Sequence, residues 1–122
     1  MQVNLEFRDD ICILRLRGKI RTGADAEYLR SKVDELRATG SSKVIADLSE
    51  VPFLDSTGIG FLVGLYTSTM NRQGGSFIVS NPGPRVRHVL KIIRLAEIVP
   101  IADDEADAIQ MLDLPQKASA TV

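Results

Sequence analysis

A single cysteine, Cys12, and a single histidine, His88, leave this 122-residue chain almost without the residues that staple a fold, ligate metals or shuttle protons. One thiol makes no internal disulfide and no Cys-rich zinc site. Cys12 stands in an apolar, strand-like run and reads as a small core filler, not as a reactive thiol. A lone His88 without a Cys partner nearby gives little support to metal binding, or to Ser-His-Asp or Cys-His catalysis. No stretch approaches the roughly 18 apolar residues of a membrane span, so no membrane insertion is expected. The start, MQVNLEFRDD, is too charged for a secretory signal, and there is no Asn-x-Ser/Thr acceptor. A reducing cytoplasm is the expected compartment. No charge dominates either. Fifteen Lys and Arg against sixteen Asp and Glu leave a net charge of −1, so no nucleic-acid partner is expected. Asn81-Pro82-Gly83-Pro84 lacks the Lys-Ser/Thr of a phosphate loop. Catalytic residues, cofactors and metals are therefore assigned to none of these positions.

What is present is an ordinary globular balance, 44% hydrophobic and 25% charged. That fits one domain, placed at residues 1–114, with 115–122 expected as a frayed polar tail. Val3 to Phe7 alternates apolar and polar, Arg8-Asp9-Asp10 turns, and Ile11 to Leu16 resumes, which predicts an antiparallel hairpin closed by Gly18. Thr22 and Asp25 form a capping-box-like start for a helix whose stripe is Ala26, Leu29, Val33 and Leu36, stopped by Gly40. Val44-Ile45-Ala46 is a short continuous apolar run, as in a strand buried on both faces. A second helix is predicted from about Ser56 to Arg72, then a strand over Ser76–Ser80.

A third helix is expected from Pro84 to Leu95, with Val86, Leu90 and Ile93 inward and Arg87, Lys91 and Arg94 sharing a basic face, read as solvated, with contact to phosphate or an acidic partner as the alternative. Ile98 to Ile101 reads as an edge strand, because Pro100 cannot donate to a ladder. Asp103 opens a last helix with Ala106, Ile109 and Leu112 inward. The order is β-β-α-β-α-β-α-β-α, an α/β domain of about five mixed strands and about four helices.

The informative stretch runs from Asp47 to Gly60, DLSEVPFLDSTGIG. A buried strand enters a turn that presents Asp55, Ser56 and Thr57 at a helix amino terminus, where amides without intrahelical acceptors want side-chain oxygens. An ordinary cap explains that much. Along the helix, Ile59, Leu62, Val63, Tyr66 and Met70 form one face, read as the core side. Thr57, Gly60, Gly64, Thr67, Ser68 and Asn71 gather opposite, with Phe61 and Leu65 flanking them. Gly60 and Gly64 each cost about 1 kcal/mol relative to Ala inside a helix. A smooth, uncharged face beside a serine suggests docking against another backbone. The alternative is that the glycines admit a neighbouring helix of the same domain.

These residues resemble the signature of STAS domains, and specifically of bacterial anti-sigma-factor antagonists: Asp-Ser-Ser/Thr-Gly-Leu/Ile-Gly after a buried strand. The similarity reaches from the opening hairpin to the acidic last helix. It implies that Ser56 is a phosphoacceptor, with Asp55 the acidic residue before it and Thr57 the hydroxyl after it. It also implies a partner surface of Asp55, Ser56, Thr57, Gly58, Gly60, Phe61, Gly64, Thr67 and Ser68. The implied partners are an anti-sigma factor that is also a serine kinase, and a phosphatase that resets the modified serine. Gly18-Lys19-Ile20-Arg21 departs from the family, which commonly reads Gly-Glu-Leu-Asp there. Two other functions suit the same fold: sensing of a nucleotide or small ligand near Gly58 and Gly60, and a structural subunit in a stress-signalling scaffold or lipid-transport complex.

Overall fold

Gln2–Arg8 (β1) and Ile11–Arg17 (β2) pair antiparallel in the computed structural model, which describes residues 1–21 and 23–112. Asp9 turns the chain between them in a left-handed conformation, φ 55°, that Asp tolerates better than most residues. Lys43–Glu50 (β3), Ser76–Ser80 (β4) and Ile101–Ala102 (β5) follow, each parallel to the strand before it, giving the order β1-β2-β3-β4-β5.

The three parallel steps pass through Ala26–Thr39 (α1), Ser56–Met70 (α2) and Pro84–Ile92 (α3). Right-handed crossovers stepping in one direction put their helices on one face. There Leu29, Leu36, Leu62, Leu65 and Leu90 meet Leu14, Val44, Ala46 and Phe77. Glu105–Leu112 (α4) lies on the other face, where Ala108 and Leu112 cover Ile13, Ile45 and Ile78. Because both faces are covered, β4 is buried along its whole length and Val44, Ile45 and Ala46 are sealed, as their apolar run implied. Element order and sheet type agree with the sequence reading.

Local details differ. Thr22 and residues 113–122 lie outside the described residues, and with them the capping box and the tail. Asp25 holds the N-cap position of α1 without capping it, because its carboxylate accepts from the Arg21 amide at 2.6 Å and the Met1 ammonium at 3.0 Å. Gly40 stops α1 in the left-handed conformation, φ 73°.

Helix α3 ends at Ile92, earlier than its stripe suggested, because Arg94 turns left-handed at φ 63° and starts a short 3-10 turn, Leu95–Glu97. Ile93 is consequently 43% exposed, and Leu95 and Ala96 supply the inward contacts. The last strand is shifted to Ile101–Ala102, since Pro100 offers only its carbonyl, which accepts from the Val79 amide at 3.0 Å. In α4 Ile109 and Leu112 face inward as expected and Ala108 joins them, whereas Ala106 is exposed. Asp104, not Asp103, caps that helix through the Asp107 amide at 2.8 Å, and Glu105 pairs with Arg8 and Arg15 on the sheet.

Candidate functional site

The loop from β3 to α2 is anchored by Val51 and Leu54, both sunk in the core. Between these anchors and the helix stands Asp55 in extended conformation, φ −103° and ψ −173°. Its Oδ1 accepts a hydrogen bond from the Gly58 amide at 2.9 Å and its carbonyl accepts from the Ile59 amide at 2.9 Å, a complete N-cap. Ser56 is therefore the first helical residue, and it is exposed; Thr57 beside it is half-buried.

Gly58 is interior. A β-carbon there would collide with Ile20 Cδ1 and stand 2.9 Å from Leu54 Cδ2, so the loop after β2 is packed onto the first turn of α2.

Further along α2 the core face is Phe61, Leu62 and Leu65 with Gly58, Ser68 and Thr69. Of the expected stripe of Ile59, Leu62, Val63, Tyr66 and Met70, Leu62 is buried and Ile59, Tyr66 and Met70 pack half-buried against the core, but Val63 is 41% exposed, and Phe61 and Leu65, expected to flank the opposite face, are core residues. Tyr66 is half-buried, with its ring edge-on to Phe77, centroids 6.2 Å apart. The physical reason is that apolar residues surround α2 almost completely, so periodicity alone selects no face. Tertiary approach selects it. Small residues sit where α2 comes close to its own domain: Gly58 under Ile20, and Gly64 opposite α1, where an added β-carbon would lie 3.5 Å from Val33 Cγ2.

The expected partner surface divides accordingly. Gly58, Phe61 and Ser68 are buried and Gly64 is half-covered by α1, so these four support the surface from behind. Ser68 Oγ has no hydrogen-bond partner among the described residues. Ser56, Gly60 and Thr67 are exposed, Asp55 and Thr57 partly so, and nothing lies near a β-carbon built on Gly60. With Val63 and Asn71 they make a ridge along the solvent side, ~22 Å long at the helical rise. No residue from Ser56 to Met70 is charged.

Other singled-out residues stand apart. Cys12 is buried in β2, and burial pushes its thiol up to about 11, away from reactive thiolate chemistry. His88 is exposed on α3. No cluster of three His, Cys, Asp or Glu among the described residues is placed to hold a metal ion, and no described helix is long and apolar enough to cross a membrane. Two contacts were not legible in advance: Ile20 inserted against Gly58, and the Arg85 guanidinium 6.0 Å over the Phe53 ring. An isolated apolar residue between two bases, Lys19-Ile20-Arg21, was the only signal for the first.

Comparison with known proteins agrees with this geometry. The family model described as STAS domain matches residues 2–108. An anti-sigma F factor antagonist of Paenibacillus polymyxa is 28% identical over 115 residues, covering 93% of this chain and 97% of its own. An anti-sigma factor antagonist from Mycobacterium paratuberculosis has the same fold, with a TM-score of 0.81, 23% identity and coverage of 91% of this chain and 92% of that one. The anti-sigma factor antagonist SpoIIAA, solved unphosphorylated, is 25% identical with a TM-score of 0.73, covering 94% of this chain and 100% of its own. The phosphorylated form of that protein, from Bacillus, gives 26% and 0.67 over 91% and 99%. In sequence, sheet order and the helix-capping Asp-Ser-Thr-Gly turn alike, the chain belongs to the STAS domain family.

Proposed function

We propose that this chain is a phosphorylation-regulated anti-sigma factor antagonist, acting in the cytoplasm by binding and not by catalysis. With Ser56 unmodified it binds an anti-sigma factor that is also a serine kinase, which frees a sigma factor. Phosphorylation of Ser56 ends the complex, and a phosphatase restores it. The contact surface is Asp55, Ser56, Thr57, Gly60 and Thr67, joined by Val63.

The observation that carries this reading is an exposed Ser56 in the first turn of an uncharged helix whose cap is already made by Asp55. A phosphate adds about −1.5 to −2 charges at pH 7. At a helix amino terminus that charge is compatible with the fold, because unpaired amides and the helix dipole favour an anion. The cost falls on the complex, where a dianion beside Asp55 has to be desolvated against the partner. The relatives named as anti-sigma factor antagonists, one of them solved in a phosphorylated form, support the same reading.

The test is to incubate the protein with ATP and each purified kinase-type anti-sigma factor from its own genome, then measure intact mass. A gain of about 80 Da that maps to Ser56 and is lost in Ser56→Ala is expected. No gain with any such kinase, or a gain on another residue, contradicts the proposal. Thermal stabilisation by ATP alone, without partner, points to ligand sensing instead.

A further inference from the structure

Basic groups border the amino end of α2 on both sides. On one side, the packing of Ile20 against Gly58 fixes the loop after β2, so its neighbours Lys19 and Arg21 flank the first turn of the helix, and both are exposed. Arg21 lies 3.3 Å from the Asp25 carboxylate, but that single negative charge is shared with the Met1 ammonium at 3.0 Å, so the corner stays positive. On the other side, Arg85 stands over Phe53, three residues before Ser56. Helix α3 continues the same sign with exposed Lys91, and it contains no acidic residue.

The carboxylates at this end are already engaged. Glu50 pairs with Arg17 at 3.0 Å, Asp103 with Arg87 at 3.0 Å, and Asp55 caps Gly58. Among the described residues neither Lys19 nor Arg85 has a carboxylate partner. The whole chain is nearly neutral, so this bias is local and directional.

We infer that the rim formed by Lys19, Arg21 and Arg85 receives an acidic protein surface when α2 docks; this rests on the reading that this end of α2 binds a protein. The ridge between the bases is uncharged and carries the apolar Val63, which suits a folded partner. Nucleic acid, by contrast, asks for basic groups that follow a phosphate backbone continuously. Opposite charges around an apolar centre steer association and fix orientation. The rim also gives phosphorylation a second route to release: a phosphate on Ser56 sits among the same cations and competes with the partner's carboxylates for them.

The experiment combines a binding assay with NMR mapping on the full chain. Affinity for the kinase-type anti-sigma factor is measured at about 50 and 500 mM salt for wild type, for Lys19→Glu with Arg85→Glu, and for an equal-charge control at the far end, Lys43→Glu with Arg94→Glu. The rim variant should bind about tenfold more weakly than control at low salt, with the gap closing at high salt. Equal losses in rim and control variants, or no salt dependence, overturn the inference while leaving the proposed function standing. Tighter binding of a mixed-sequence DNA duplex than of the anti-sigma factor overturns it in favour of nucleic acid. If no anti-sigma factor binds wild type, the proposed function fails, and poly-L-glutamate titrated into labelled protein decides the surface. Shifts centred on Lys19, Arg21 and Arg85 sustain the acidic-partner inference; shifts elsewhere, or none, overturn it.

Discussion

The Asp55 carboxylate accepts the Gly58 amide proton at 2.9 Å, and that bond keeps the intervening Ser56 hydroxyl out of the capping role and in solvent. Cap and candidate phosphoacceptor are adjacent but separate, so each can be altered alone. Replacing Asp55 by Ala should cost about 1 kcal/mol of stability, and Asn should recover most of it. Urea unfolding checks this; an Asp55→Ala protein as stable as wild type contradicts the cap.

The orientation of α2 is tested by two apolar truncations. Phe61→Ala should cost about 3–5 kcal/mol, as for a filled core site, and Val63→Ala well under 1 kcal/mol. Comparable losses at both positions, read from thermal or urea unfolding, would mean that the helix is rotated from the face described above.

Gly60 separates stability from binding. Nothing lies near a β-carbon built there, so Gly60→Ala should raise stability by about 0.5–1 kcal/mol through helix propensity. If a partner closes on the bare backbone of this ridge, the same variant should bind it more weakly. A variant that is less stable than wild type contradicts an open site at Gly60.

Sequence patterning reached the strands and the cap of α2 further than it reached the helix faces. Ser76–Ser80 and the opening hairpin were legible because alternation, short apolar runs and glycine stops are local signals. The turn at the start of α2, with Asp55 as its cap, was legible for the same reason, since a cap is read from adjacent residues. The facing of α2 was not. Ile59, Phe61, Leu62, Val63, Leu65, Tyr66 and Met70 leave no wide polar arc, and the choice among them is made by contacts with Ile20 and Val33, far away in sequence. The end of α3 was equally hidden, because Arg94 takes a left-handed conformation that sequence reserves for Gly or Asn.

Asp25 should give stability a dependence on acid. The Arg21 amide, followed by the Met1 ammonium, holds its carboxyl at about 2, below the ordinary 3.8, against the opposing effect of burial. A depressed folded-state value contributes stability that is fully present above the unfolded pKa and is lost as pH falls through the folded one. The stability gap between wild type and Asp25→Asn should therefore be constant above about pH 5 and shrink between about pH 4 and 2. A gap that does not change across that window contradicts the assigned contacts.

The central claim is that charge at residue 56 breaks a docked complex without disturbing the domain. Its most direct measurement is the affinity of Ser56→Ala and Ser56→Asp for the same kinase-type anti-sigma factor, taken beside their far-ultraviolet circular dichroism. Ser56→Asp is expected to bind at least about tenfold more weakly than Ser56→Ala, with unchanged helix content. Equal affinity for the two variants would remove the switch.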